Sequence, residues 1–143
     1  MRTSKRLNKL IPITESVLKV RVWERNNLPI EQSQLALDLF LIISYHTLIE
    51  KPLTLKQLFH SIDFSEAGIR KQLRRLLKEE WCLLLGDEKD KRLKLVVAQT
   101  KMLLAMTEYS KVLSDAYKRH RFVNLELKQS NFSVLNKSSN KIN

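Results

Sequence analysis

Glycine and proline are scarce, with 2 and 3 copies in 143 residues. That leaves little for a turn-rich β fold and nothing for a Gly-rich phosphate loop, so a mainly helical chain is expected. Cysteine is rarer still: Cys82 stands alone, which excludes an intramolecular disulfide and points to a reducing compartment, the cytoplasm. Long apolar runs are missing too. The most apolar, Leu35 to Ile43, carries Asp38 and falls short of the roughly 18 residues that a membrane crossing needs. The basic first ten residues run into Pro12, Thr14 and Glu15 instead of the apolar core of a signal peptide. His46, His60 and His120 lie 14 and 60 residues apart, with no Cys or acid at metal-ligand spacing. The one carboxylate pair, Glu79 and Glu80, would point in different directions from adjacent helical positions. Neither a cofactor nor a metal nor a catalytic constellation is expected, which argues against an enzyme.

Acids are also outnumbered. Twenty-six Lys and Arg against 15 Asp and Glu give a net charge of +11 and a pI near 10.0. A surplus of that size favours a polyanionic partner, either nucleic acid or an anionic membrane face, unless it serves solubility alone. At 43% apolar residues the chain can still bury the core of one ordinary domain.

What is present is helical periodicity with clear punctuation. Residues 1–12 hold Arg2, Lys5, Arg6 and Lys9 without an acid and read as a flexible basic arm. Ile13 to Asn27 reads as a helix capped at Thr14 and closed by Asn26, Asn27 and Pro29. Glu31 to Glu50 reads as the strongest helix, apolar most of the way round, with Tyr45 and Leu48 on one side and Leu39 and Ile43 on another. Such a helix is central to the core or shared with a second subunit. Lys51-Pro52 stops it. Trp23, Tyr45 and Tyr109 are read as core aromatics.

From Leu53 to Thr100 the pattern tightens. Leu55, Leu58, Phe59 and Ile62 form one helical face behind the cap residue Thr54. Asp63-Phe64-Ser65 breaks the pattern, and Ser65 caps a second helix to Glu80, whose Ile69, Leu73, Leu76 and Leu77 face the core. Lys71, Arg74, Arg75 and Lys78 cluster on the opposite side. Two short helices joined by a three-residue break read as a helix-turn-helix. Cys82 to Leu85 is then apolar, Gly86 to Lys91 is a charged turn, and Arg92 to Ala98 opens with polar and apolar residues alternating. That is a two-stranded β ribbon with a solvated tip. Thr100 to about Arg121 reads as a long helix carrying Met102, Met106, Tyr109 and Leu113, and residues 122–143 read as a partly ordered tail.

The order of helix, turn, basic helix, charged ribbon and long helix is that of a winged helix-turn-helix. Leu76-Leu77-Lys78-Glu79-Glu80-Trp81-Cys82 and Asp90-Lys91-Arg92 resemble the end of the recognition helix and the wing signature of the multiple antibiotic resistance regulators, the MarR-like transcription factors. Glu80 stands where that family commonly has a Gly, so the left-handed cap that Gly supplies cheaply does not follow from this sequence. The resemblance implies a mainly α, winged-helix fold, with residues 13–121 as the DNA-binding domain flanked by dimerisation helices. It implies a homodimer on a palindromic operator, the helix 65–80 in the major groove, and Arg92 either supporting the wing or entering the minor groove. Many members release DNA when a small phenolic ligand enters a crevice near the dimer interface; nothing in this sequence identifies an effector.

The residue chemistry assigns roles on duplex DNA. Arg70, Lys71, Gln72 and Arg74 are candidates to reach base edges, since Arg pairs with guanine O6 and N7 and Gln with adenine N6 and N7. Lys56, Ser65, Arg75 and Lys78 are candidates for phosphate, which sets register without reading sequence. Lys89, Lys91 and Arg92 would reach the neighbouring groove from the wing 82–98. A second reading keeps the fold and changes the partner: a winged-helix module for protein interaction or replication assembly, without operator specificity. Steep, salt-dependent retention on heparin or random duplex separates the two. Cys82, on an apolar strand, is expected to be a small core residue and not a redox sensor.

Overall fold

The computed structural model describes residues 5–119. Two compact units emerge: Trp23–Ser110, and the described parts of Met1–Val22 and Lys111–Asn143. The elements run α1 (Lys5–Asn8), α2 (Leu10–Asn27), α3 (Gln34–Leu48), β1 (Leu53–Thr54), α4 (Leu55–Ser61), α5 (Glu66–Lys78), β2 (Cys82–Gly86), β3 (Lys94–Ala98) and α6 (Thr100–Arg119). A mainly helical winged-helix fold is the result. The tail 122–143, with His120 and Arg121, lies outside the described residues.

The core of the unit Trp23–Ser110 is built on α3, whose Leu39, Phe40 and Ile43 are fully enclosed. This helix packs on β3 and α5, whose Val96, Ile69, Leu73 and Leu76 are buried; Leu58 of α4 and Met102 of α6 are buried as well. Periodicity located α3 but overran its ends. Ser33 is the cap, its hydroxyl accepting from the Ala36 N–H at 3.2 Å. Glu31 and Gln32 lie before it in left-handed conformation, φ 43° and 60°. Tyr45 corrects a second expectation, for it is 58% exposed, whereas Trp23 and Tyr109 stack at 5.6 Å. The Tyr109 hydroxyl donates to buried Glu24 at 2.8 Å.

Helical structure also starts earlier than expected. Residues Lys5–Asn8 and Leu10–Asn27 are helical, so part of the expected arm is ordered. Pro12 is tolerated in a first turn whose N–H groups have no intrahelical acceptor. Thr14 is no cap: its hydroxyl donates back to the Leu10 carbonyl at 2.7 Å within the helix. In the smaller unit Ile11, Val17 and Leu18 of α2 and Leu113 and Tyr117 of α6 are exposed.

The ribbon is part of a three-stranded antiparallel sheet of order β1-β3-β2. Cys82 pairs with Ala98 within the expected ribbon, while Gly86, read as the start of the turn, is still paired, with Lys94; Leu53 also pairs with Val96 and Thr54 with Leu95. The two-residue β1 escaped the sequence reading because it is too short to show alternation. Thr47 ties the sheet to α3, its hydroxyl accepting from the Ala98 N–H at 2.9 Å and donating to the Ile43 carbonyl at 2.8 Å.

At the end of α5 the chain turns sharply. Trp81 N–H donates to the Leu76 carbonyl at 2.9 Å and Glu80 N–H to the Leu77 carbonyl at 3.1 Å, the paired bonds of a Schellman turn. Glu80 itself takes the left-handed position, φ 63°. Glycine adopts this conformation without a Cβ penalty. Replacing exposed Glu80 by Gly is therefore expected to stabilise the fold by about 1 kcal/mol. The urea midpoint would rise at unchanged slope, and a fall in the midpoint would refute the strain.

Candidate nucleic-acid interface

Two caps fix the helices that frame the site. Thr54 and Gln57 form a capping box at α4: the Thr54 hydroxyl accepts from the Gln57 N–H at 3.2 Å, and the Gln57 side chain accepts from the Thr54 N–H at 2.9 Å. The Ser65 hydroxyl accepts from the Gly68 N–H at 3.1 Å and starts α5. A Cβ on Gly68 would lie 3.0 Å from that oxygen, so the small residue keeps the cap undisturbed. Ile69, Leu73 and Leu76 then pull one face of α5 into the core, which turns Lys71, Arg74 and Lys78 outward and exposed. Among the described residues no ion pair engages these three. Lys56 is exposed on α4.

Arg70 is exposed but held. Its Nη2 lies 2.7 Å from Glu66 Oε1, and its guanidinium carbon lies 4.5 Å from the centroid of the Phe59 ring. The pair and the cation–π contact limit the side chain's freedom. Glu66 was legible as an i, i+4 partner; the Phe59 contact needed the packing of α4 on α5. Beside them a surface hollow is floored by Leu55, Phe59, Leu73 and Leu84 and edged by Arg70 and Arg74.

Arg75 departs from the sequence expectation. Its side chain is only 17% exposed and is turned into the protein, where Nη2 donates to the Pro29 carbonyl. Nε donates to Gln72 Oε1 at 3.2 Å and Nη1 to Glu79 Oε2 at 3.2 Å. Gln72 is half-buried and engaged in the same cluster. Helical spacing puts Arg75 on the outward side, but a long side chain can fold back toward a carbonyl 46 residues away in sequence.

The wing tip is shaped by two acids. Asp87 accepts from the Lys89 N–H and Asp90 from the Arg92 N–H, each at 3.1 Å, as side chains that mimic turn carbonyls. Arg92 also donates Nε to Asp90 at 3.2 Å while its side chain remains 92% exposed. Lys89 and Lys91 are exposed beside it.

Among the described residues no group of three or more His, Cys, Asp or Glu could hold a metal ion. Nor is any described helix long and apolar enough to cross a membrane. Cys82 is buried, and burial pushes its thiol up to about 12. It therefore stays protonated and unreactive near neutral pH, as its place in the core implied.

No protein-family model matches the chain, and no curated protein matches it. Solved structures do. S. aureus MepR in complex with DNA is 11% identical, with 85% of this chain and 94% of that one covered at a TM-score of 0.67. The Streptococcus agalactiae heme sensor PefR, in complex with heme, is 13% identical over 98% and 95% at 0.59. The Thermotoga maritima transcriptional regulator Tm0710 is 16% identical over 91% and 89% at 0.52. At such identities the likeness shows architecture alone: this chain has the winged-helix fold of those structures, which are MarR-family transcription regulators.

Proposed function

We propose that the protein is a cytoplasmic, sequence-specific regulator of transcription that binds double-stranded DNA as a homodimer. In this reading α5 lies in the major groove of each half of a palindromic operator, and the wing 82–98 reaches the minor groove. The observation that carries it is the outward cationic face of Lys71, Arg74 and Lys78 on α5, in a fold shared with MepR, whose structure was solved on DNA. Arg74 reads a guanine edge, Lys71 and Arg70 flank it, and the apolar hollow beside Arg70 and Arg74 suits a thymine methyl. Lys56, Ser65 and Lys78 contact phosphate. Lys89, Lys91 and Arg92 serve the wing, where exposed Arg92 both braces the tip through Asp90 and is free to enter a narrow A·T minor groove. Arg75 leaves the list of DNA contacts because its donors are engaged inside the protein. Leu18, Leu113 and Tyr117, exposed in the smaller unit, supply apolar surface for a second copy, and a two-fold dimer matches a two-fold operator.

Selecting bound duplexes from a random pool tests the reading. Winners carrying an inverted repeat support it, and a pool that remains random favours a module without operator specificity. Arg74→Ala is expected to cost about 1 to 3 kcal/mol on the selected duplex and much less on unrelated sequence. Equal losses on both would make Arg74 a phosphate contact. Lys78→Ala should instead weaken all duplexes alike and flatten the salt slope by about 0.9 for each subunit, about 1.8 for the dimer.

A further inference from the structure

The last turn of α5 is fastened on two sides. On one, Arg75 spans from the helix to the Pro29 carbonyl in the connection between α2 and α3. That connection is itself anchored, with Leu28 and Ile30 buried. On the other side, Lys101 in the first turn of α6 donates Nζ to the Glu79 carbonyl at 3.0 Å, and its ammonium lies 4.1 Å from the centroid of the Trp81 ring. Glu79 joins the two: its carboxylate takes Arg75 at 3.2 Å and its carbonyl takes Lys101.

Each contact is of a kind that fixes orientation. A guanidinium is a rigid planar fork, so donating at once to Pro29, Gln72 and Glu79 leaves it little freedom. An ammonium against a helix's terminal carbonyl is favoured by the helix dipole, and here the indole ring guides it further. Base readout needs hydrogen-bond geometry, so a tilt of α5 would remove it, whereas attraction to phosphate survives a tilt.

We propose that Arg75, Glu79 and Lys101 are positioning residues that set the pose of α5 for base readout by tying its last turn to the α2–α3 connection and to the start of α6. This rests on the DNA-binding reading above and extends it to residues that touch no DNA.

The test uses the full chain with two probes, a duplex that the native protein selects from a random pool and poly(dI-dC). Arg75→Met and Lys101→Met should each lower affinity for the selected duplex by about 10-fold, the size of one lost base contact. Affinity for poly(dI-dC) should stay within about 3-fold and the salt slope should not change. Equal losses on both probes with a flatter slope, or an unchanged ratio between the probes, would overturn the proposal. Arg75→Lys keeps the charge and loses the fork. It should behave like Arg75→Met, and native behaviour would overturn the positioning role of Arg75. Should Arg75→Met not fold, Arg75→Lys and exposed Lys101 carry the test.

If the native protein ignores both duplexes, the DNA-binding reading fails by itself, and amide hydrogen exchange decides the tether. Faster exchange at Glu79, Glu80 and Trp81 in Arg75→Lys and Lys101→Met would support it, since local opening reports on these bonds. Native rates would overturn it.

Discussion

Raising salt from about 50 to about 200 mM is expected to lower affinity for the selected duplex by roughly 10³ to 10⁵-fold, the span for a protein making about 6 to 10 phosphate contacts. The cause is counterion release. Each Lys or Arg that neutralises a phosphate frees a condensed cation, and added salt makes that release less favourable. Lys56 and Lys78 with the wing's Lys89 and Lys91 are exposed, and a two-fold dimer doubles the set. A titration of log affinity against log salt measures the slope directly. A slope near zero would mean that the cationic face of α5 meets no polyanion, and the +11 surplus would then serve solubility. Weak, sequence-blind binding with a steep slope would retain the electrostatic half of the proposal and remove the operator.

Phe40→Ala is expected to destabilise the protein by about 3 to 5 kcal/mol. Phe40 is fully enclosed on α3, the helix packed on both β3 and α5, so truncation leaves a cavity in the core that this helix anchors. Domains of this size are held by only about 5 to 15 kcal/mol, and the loss would consume much of that margin. Urea unfolding should show a much lower midpoint at an unchanged slope. A change below about 1 kcal/mol would show that the site collapses around the gap and that α3 is not the rigid support. DNA affinity of the folded fraction should survive, because Phe40 lies in the core and not on the cationic face.

Local chemistry made several features legible. The caps Thr54 and Ser65 and the stripe of Ile69, Leu73 and Leu76 stand where their spacing put them, since caps and periodicity act within one or two helical turns. The ribbon was equally plain because its two strands pair across a short turn. Cys82 followed from its apolar neighbours. Other features depend on partners far along the chain. Nothing near Arg75 announces the Pro29 carbonyl, nothing near Lys101 announces Trp81, and Leu53 becomes a strand only because Val96 lies beside it. Tyr45 sits on so apolar a helix that its sequence suggests burial, yet it faces outward.

The sequence by itself determined the helices α2 to α6 and the ribbon of β2 and β3, their order, and the charge carried on α5, because propensity, capping and amphipathic spacing are short-range forces. Tertiary structure alone decided which cations remain available to a ligand and which are consumed in holding the helix. The physical reason is the same in each case. A side chain's direction is settled by whichever acceptor, ring or cavity the packed fold brings within a few ångströms, and linear spacing carries no record of that neighbour.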